Sequence, residues 1–345
     1  MLRIGTLGSS RISRPSLIEP ASSVAEVTLV AVAARDMSRA EAFALRHGLP
    51  KAYGSYEDLL ADPDIDAIYN PLPNSLHGPW TLRAIAAGKH VLCEKPFTSN
   101  AEEAVRVADA AAASGLVVME AMHNRYHPLT RRLSELVTEL GPVQHIQAWT
   151  SFAIANPDDI RYDFDLAGGA LMDGGCYALD CLRLLGAGNG PSDGPSEGPG
   201  DGHREPSVTG ALADPCPPSA GGAAEAVADR SMAVRLAFPG GATGWFESSF
   251  TMDGEFRADL HVICRHGQVW LDNFIFPHRG RLLATRDGTV VADEQGGGDS
   301  TYVHQLRAFA AAVAGGAPVP TSAAHAVTNM RLIDDAYRAA GLRPR

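Results

Sequence analysis

The sequence predicts an α/β chain in two parts: a doubly wound parallel sheet, then an α/β domain with a large open, mostly antiparallel sheet. Three observations predict it. Short apolar runs alternate with helical patterns through the first third of the chain, which is the pattern of a parallel sheet covered by helices. After about residue 121 the rhythm changes to strand-like runs joined by Gly-containing turns, which favours antiparallel pairing. The 345 residues leave room for two domains at roughly 100–200 residues each. The expected domains are residues 1–121 and 122–345.

The elements follow in order. Residues 2–7 form a strand, and 10–24 can carry a helix with an irregular start at Pro15, whose ring restricts the backbone. Residues 27–34 read VTLVAVAA, the continuous apolar run of a strand buried on both faces. A helix over 38–47 stops at Gly48, and a short helix covers 56–61. Strands are expected at 66–69, 90–93 and 117–119, with helices at 77–87, ending at Gly88, and 100–114, ending at Gly115. In the second part a helix over 129–140 ends at Gly141-Pro142, a strand covers 144–152 and a helix 169–185. Strands are then expected at 207–213, 232–238, 243–251, 258–264 and 268–271, and helices at 302–314 and 323–340. Residues 186–206 hold 13 Gly, Pro or Ser among 21 and cannot bury a core. They read as a flexible insertion inside the second domain, so deleting 189–204 should leave folding intact. A second loop is expected over about 214–229.

Composition narrows the function. Lys and Arg number 29 against 40 Asp and Glu, a formal charge of −11. An acidic chain without a basic block is a poor ligand for nucleic acid or anionic membrane. No apolar run reaches the roughly 18 residues of a membrane span, and the N-terminus lacks the apolar stretch of a secretory signal. The five cysteines contain no C-x-x-C pair, so reduced thiols in a cytoplasmic protein are expected.

Five segments could carry chemistry. Gly8-Ser9-Ser10-Arg11-Ile12-Ser13 follows the first strand. It stands where a dinucleotide fingerprint would, with small residues in place of its second and third glycines. Such a turn lets the backbone approach a pyrophosphate at a helix N-terminus. The second strand ends in Ala33-Ala34-Arg35-Asp36. NAD enzymes place an acidic residue there for the ribose hydroxyl. Ala34 followed by Arg35 suits a 2′-phosphate instead, and hence NADP; the alternative has Asp36 holding the ribose of NAD. Glu94-Lys95-Pro96 lies at the carboxyl end of a strand, where doubly wound sheets bind ligands. The proline keeps Lys95 out of the helical region.

Asp173 and Tyr177 are four residues apart on a predicted helix and share a face, opposite an apolar stripe of Met172, Cys176, Leu179 and Leu182. His123 and His127 have the same spacing, which can suit a metal. No third ligand accompanies them, and no metal is expected; structural or substrate-facing roles are the expectation.

Together these segments resemble the family of glucose–fructose oxidoreductase, inositol dehydrogenase and their relatives. The most specific parts are Val91-Leu92-Cys93-Glu94-Lys95-Pro96 and Gly168-Gly169-Ala170-Leu171-Met172-Asp173-Gly174-Gly175-Cys176-Tyr177. Asn70-Pro71-Leu72-Pro73-Asn74-Ser75-Leu76-His77 and Glu120-Ala121-Met122-His123-Asn124-Arg125-Tyr126-His127-Pro128 also look like family segments. Tyrosine at position 177, serines in the glycine turn and Arg35 are similar to the branch with NADP-dependent xylose dehydrogenases and dimeric dihydrodiol dehydrogenases.

The resemblance implies a Rossmann domain and a second domain whose open sheet often makes a homodimer or higher oligomer. It implies NADP, with NAD as the alternative, and a sugar, polyol or cyclic diol as substrate. Tyr177 would be the general acid/base. A free tyrosine titrates near pH 10, and the nearby cation of Lys95 would favour its phenolate; Asp173 would orient Lys95 or the substrate. Gly8, Ser9, Ser10, Arg11, Ile12, Arg35, Leu72, Asn74, His77, Glu94 and Lys95 would meet the cofactor, and His123 and Arg125 would border the substrate. Two other readings accompany this one: a regulator that binds NADP without catalysis, and an enzyme that retains its nucleotide and cycles it between two sugars.

Overall fold

The computed structural model describes residues 1–156, 158–186, 205–216, 226–251 and 254–345. The chain forms two units, one of Met1–Tyr126 with Asp299–Val327, the other of His127–Gly298 with Thr328–Arg345.

The first unit carries six strands: β1 (Leu2–Leu7), β2 (Val27–Ala33), β3 (Lys51–Tyr53), β4 (Ala67–Asn70), β5 (His90–Cys93) and β6 (Val118–Glu120). Their order is β3-β2-β1-β4-β5-β6, and every adjacent pair is parallel. This order reverses direction at β1 and β4, the place where such sheets open a ligand crevice. The helices stop where the sequence expects. Gly48 and Gly115 take left-handed conformations after Met37–His47 and Ala101–Ser114, which only glycine adopts without strain. Asn100 caps the second of these helices by accepting from the Glu103 amide at 2.9 Å. The segment around Pro15 is irregular, a π-helical turn over Arg14–Ile18 running into Glu19–Ala21. β3, three residues long, escaped the sequence reading.

The chain returns to this unit late. In helix Thr301–Val313, Val303, Leu306, Phe309 and Ala310 join one core with Ile4, Leu17, Tyr69, Leu92 and Met119. The sequence reading had given this helix to the second domain. Its apolar face carries no label of the sheet it will cover, so periodicity identifies the helix but not its destination.

The second unit is built on eight strands: β7 (Val143–Ala153), β8 (Ser207–Pro215), β9 (Asp229–Ala237), β10 (Thr243–Thr251), β11 (Arg257–Cys264), β12 (Gly267–Leu271), β13 (Arg281–Arg286) and β14 (Thr289–Gln295). The order is β14-β13-β12-β11-β7-β10-β9-β8. All neighbours are antiparallel except β7 and β10. One face is apolar, with Ile146, Ala148, Phe246, Leu260 and Val262 fully buried. Helix Cys176–Gly186 packs on β7 and β10, and helix Pro128–Glu139 on β12 and β13.

Two differences from expectation belong here. β13 and β14 were missed, although their hairpin turn, Asp287-Gly288, has positive φ at both residues (48° and 81°). Asp-Gly between two strands is a strong hairpin signal. At the ends of the loop expected over about 214–229, Asp214 pairs with Ser231 and Pro215 with Asp229 in the β8–β9 ladder, while residues 217–225 lie outside the described residues. The Gly/Pro-rich insertion expected over 186–206 falls largely on residues 187–204, outside the described residues.

Candidate functional site

In the first unit the glycine turn is shaped by its neighbours. Gly8 has φ of 79°, and its amide donates to the Ala33 carbonyl at 2.7 Å, joining the ends of β1 and β2. A Cβ added to Gly8 would stand 3.0 Å from Leu72 Cδ2 and 3.8 Å from the Tyr56 hydroxyl. Gly8, Leu72 and Tyr56 therefore meet at one point, with space only for bare backbone. Ser9 and Ser10 are half-buried, and Arg11 and Ile12 are exposed. Below them, the Ser16 hydroxyl lies 2.6 Å from both the Ile12 carbonyl and the Tyr69 hydroxyl. Tyr69 donates to Glu94 Oε1 at 2.7 Å; burial, above all, holds its phenol neutral. The buried Glu94 thus links the segment after β5 to the glycine turn, which assigns it a supporting place.

His77 differs most from its expected place against the cofactor. It is 1% exposed, and its ring nitrogens lie 2.7 Å from the Pro96 carbonyl and 2.8 Å from the Leu72 carbonyl. Burial, the largest influence, lowers its pKa to about 4. A neutral imidazole has one N–H to give, so it donates to one of these two carbonyls. The ring ties the turn after β4 to the segment of Lys95. Asn70 supports the same corner, donating to the His77 carbonyl at 3.0 Å. Asn74 opens the short 3₁₀ turn between them and is half-buried, as is Lys95.

The end of β2 bears on which nicotinamide nucleotide would fit. Ala34 is buried at the expected acidic position. Asp36 is the N-cap of helix Met37–His47 and accepts from the Arg39 amide at 3.2 Å and the Ser38 hydroxyl at 2.6 Å. These bonds, the Ser38 hydroxyl first, hold its carboxyl below the usual range. A carboxylate engaged at a helix start is poorly free to hold a ribose. Arg35 and Arg39 are both exposed, both act electrostatically on Tyr56, and Arg39 Nη2 reaches Ser9 Oγ at 3.4 Å. The cradle therefore fits a nucleotide with a 2′-phosphate. Arg39 was missed by sequence reasoning; its place four residues after Arg35 was the available signal.

In the second unit, Asp173 sits in a π-helical turn, Leu171–Gly175, that leads into helix Cys176–Gly186 with Tyr177. The turn lies close on the sheet: the Ser248 hydroxyl donates to the Ala170 carbonyl at 2.6 Å, and a Cβ at Gly174 would strike Phe152, Ser248 and Thr150. Asp173 is half-buried and accepts from Arg161 Nε at 2.8 Å; Arg161 also bonds Asp159 at 3.0 Å. No sequence signal had marked Arg161. Tyr177 is 4% exposed.

The histidine pair is not a helical pair. His123 lies in a 3₁₀ turn of the first unit, 1% exposed, with its ring centroid 4.1 Å from that of Tyr302. His127 is the extended N-cap of helix Pro128–Glu139, its Nδ1 accepting from the Leu129 amide at 3.2 Å. The break before Pro128 removes the shared face that the spacing implied. Arg125 is half-buried.

Comparison with known proteins places this geometry. Residues 2–122 match the model of an oxidoreductase family with an NAD-binding Rossmann fold, and residues 130–270 match the GFO/IDH/MocA C-terminal domain. A D-xylose 1-dehydrogenase (NADP(+)) of Haloferax volcanii is 37% identical over 353 aligned positions, covering 98% of this chain and 97% of that protein. A trans-1,2-dihydrobenzene-1,2-diol dehydrogenase of Sus scrofa is 35% identical, over 66% of this chain and 61% of that one. Among solved structures, the 3-ketoreductase KijD10 of Actinomadura kijaniata, in complex with NADP and TDP-benzene, superposes with a TM-score of 0.83 at 25% identity, covering 99% and 98% of the chains.

Proposed function

The chain belongs to the GFO/IDH/MocA oxidoreductase family, and we propose that Tyr177 and Lys95 carry its chemistry. It is an NADP-linked oxidoreductase that acts on the CH–OH group of a sugar or related diol. The observation that carries the cofactor reading is Asp36, engaged as a helix cap while Arg35 and Arg39 stand exposed beside the glycine turn.

Bound NADP supplies the nicotinamide carbon that accepts or gives the hydride. The protein has to hold the substrate and move one proton. During oxidation Tyr177 takes the proton of the substrate hydroxyl at its phenol oxygen, and during reduction it returns it. Lys95 is the cation proposed to favour the phenolate by its charge. Asp173, paired with Arg161, orients the substrate hydroxyls. Leu72 and the Gly8–Ile12 turn hold the nucleotide; Asn74 lies at the cofactor edge; Arg125 borders the substrate. An aldose is the leading substrate class, on the strength of the full-length similarity to the xylose dehydrogenase, with a cyclic diol next.

The protein works as a homodimer in the cytoplasm. The five cysteines are unbonded and buried, as a reducing compartment allows. The sheet face opposite the helices carries Trp149, Trp245 and Trp270, the last 40% exposed, a surface suited to a second copy. No helix among the described residues is long and apolar enough to cross a membrane.

The test is a panel of aldoses, polyols and cyclic diols with NADP⁺, read as NADPH formation by desalted protein, beside a stoichiometric NADP-binding measurement. Turnover with an aldose or diol is the expected result. Binding without turnover on any of them would leave the regulator reading. Turnover only when a second sugar is present, with nucleotide retained through desalting, would point to the sugar–sugar cycle.

A further inference from the structure

The start of the helix that carries Tyr177 is held by a buried charged cluster that the reaction itself does not explain. Gly168 and Gly169 precede it. Gly168 donates its amide to the Asp163 carbonyl at 2.8 Å, and a Cβ there would strike the Arg161 carbonyl. Gly169 has φ of 139°, and its Cβ would strike Asp229 Oδ1. The two glycines therefore pass between a backbone wall and a carboxylate.

That carboxylate, 0% exposed, is shared by three donors. Oδ2 accepts from the Leu171 amide at 2.7 Å, one of the amides a helix start leaves without an internal partner. Oδ1 accepts from the Tyr337 hydroxyl at 2.7 Å and from Arg345 Nη2 at 2.7 Å. The Arg345 side chain is 1% exposed. Its Nε donates to the Gly168 carbonyl at 2.8 Å, and its guanidinium carbon lies 4.0 Å from the Tyr337 ring centre and 4.9 Å from that of Phe164. Arg345 thus grips both the carboxylate and the backbone just before the helix, which a planar fork can do and a single ammonium cannot.

We propose that Arg345, through Asp229, is a positioning residue that sets the start of the helix bearing Asp173 and Tyr177, and so the reach of the Tyr177 phenol. Buried ion pairs are often dispensable for stability when replaced as a whole. One that clamps two points of a single helix start has a geometric use, because small displacements of a reacting group carry large rate penalties. The inference rests on Tyr177 as the proton-transfer residue.

Arg345→Lys keeps the charge and loses the fork. It is expected to lower kcat roughly 10- to 100-fold while leaving KM for NADP within about twofold. Arg345→Ala is expected to fall further and to recover in part with millimolar guanidinium added to the assay. Tyr337→Phe, which removes one donor and little volume, is expected to lose less. Unchanged kcat in Arg345→Lys, or a loss in Arg345→Ala that guanidinium does not restore, overturns the proposal. If Arg345→Ala does not fold, Arg345→Lys and Tyr337→Phe decide it. Tyr177→Phe, run beside them, separates the two readings. An active Tyr177→Phe removes the premise, whereas an inactive one beside a fully active Arg345→Lys removes only the role of Arg345.

Discussion

At the scale of single residues, the proposed cofactor choice rests on three side chains within five positions. Arg35 and Arg39 offer guanidinium groups near the glycine turn, and Asp36 is held by Ser38 and the Arg39 amide. A charge-assisted hydrogen bond is worth about 1.5–3 kcal/mol, so Arg35→Ala and Arg39→Ala should each raise KM for NADP roughly 10- to 100-fold. KM for NAD should hardly change. An unchanged KM for NADP in both variants would mean that the phosphate is held elsewhere. Asp36→Ala should lower the unfolding temperature slightly, as a lost helix cap does, with KM for NADP unchanged. A rise in KM specific to NAD would restore the ribose role. The sequence showed Arg35, because the β2 terminus is a fixed position in this architecture. It left Asp36 ambiguous, because capping and ribose binding ask for the same residue type.

At the scale of elements, the turns after β4 and β5 act together through His77. Its folded-state pKa of about 4 lies below the unfolded value near 6.5. Its contribution to stability is therefore complete above about pH 6.5 and declines as pH falls toward about 4. The full loss is up to about 3 kcal/mol. Thermal unfolding of wild type between these pH values should show that decline, and His77→Asn should flatten it while starting lower. Parallel slopes would assign the acid limb to other groups.

Element legibility followed local chemistry. Helix stops at Gly48 and Gly115 and the apolar β2 run could be read directly, because each depends on its own residues. The tie between His77 and Pro96, 19 residues apart, could not, because a histidine after a Pro-rich turn looks alike whether it meets a ligand or a carbonyl. The π turn at Leu171–Gly175 was also hidden, since a helical pattern does not reveal a widened first turn.

At the scale of the whole molecule, the parallel unit and the large second sheet were legible from the change of rhythm near residue 121. The return of Thr301–Val313 to the first unit was not, since tertiary burial alone decides which sheet a helix covers. The open sheet face is where assembly should be visible. Trp270→Glu, a charge placed on a 40% exposed position of that face, should shift the proposed dimer toward monomer in analytical ultracentrifugation without unfolding it. A sedimentation coefficient identical to that of the parent protein would remove the proposed interface from this face.

The central claim is that Tyr177 moves the substrate proton with Lys95 setting its charge. Its most direct measurement is the turnover of Tyr177→Phe and Lys95→Met on the best sugar or diol, with NADP affinity measured on the same samples. Both variants should still bind NADP and lose at least about 100-fold in kcat, the scale of general acid–base catalysis. Turnover near that of the parent protein in both, with NADP still bound, would contradict the claim.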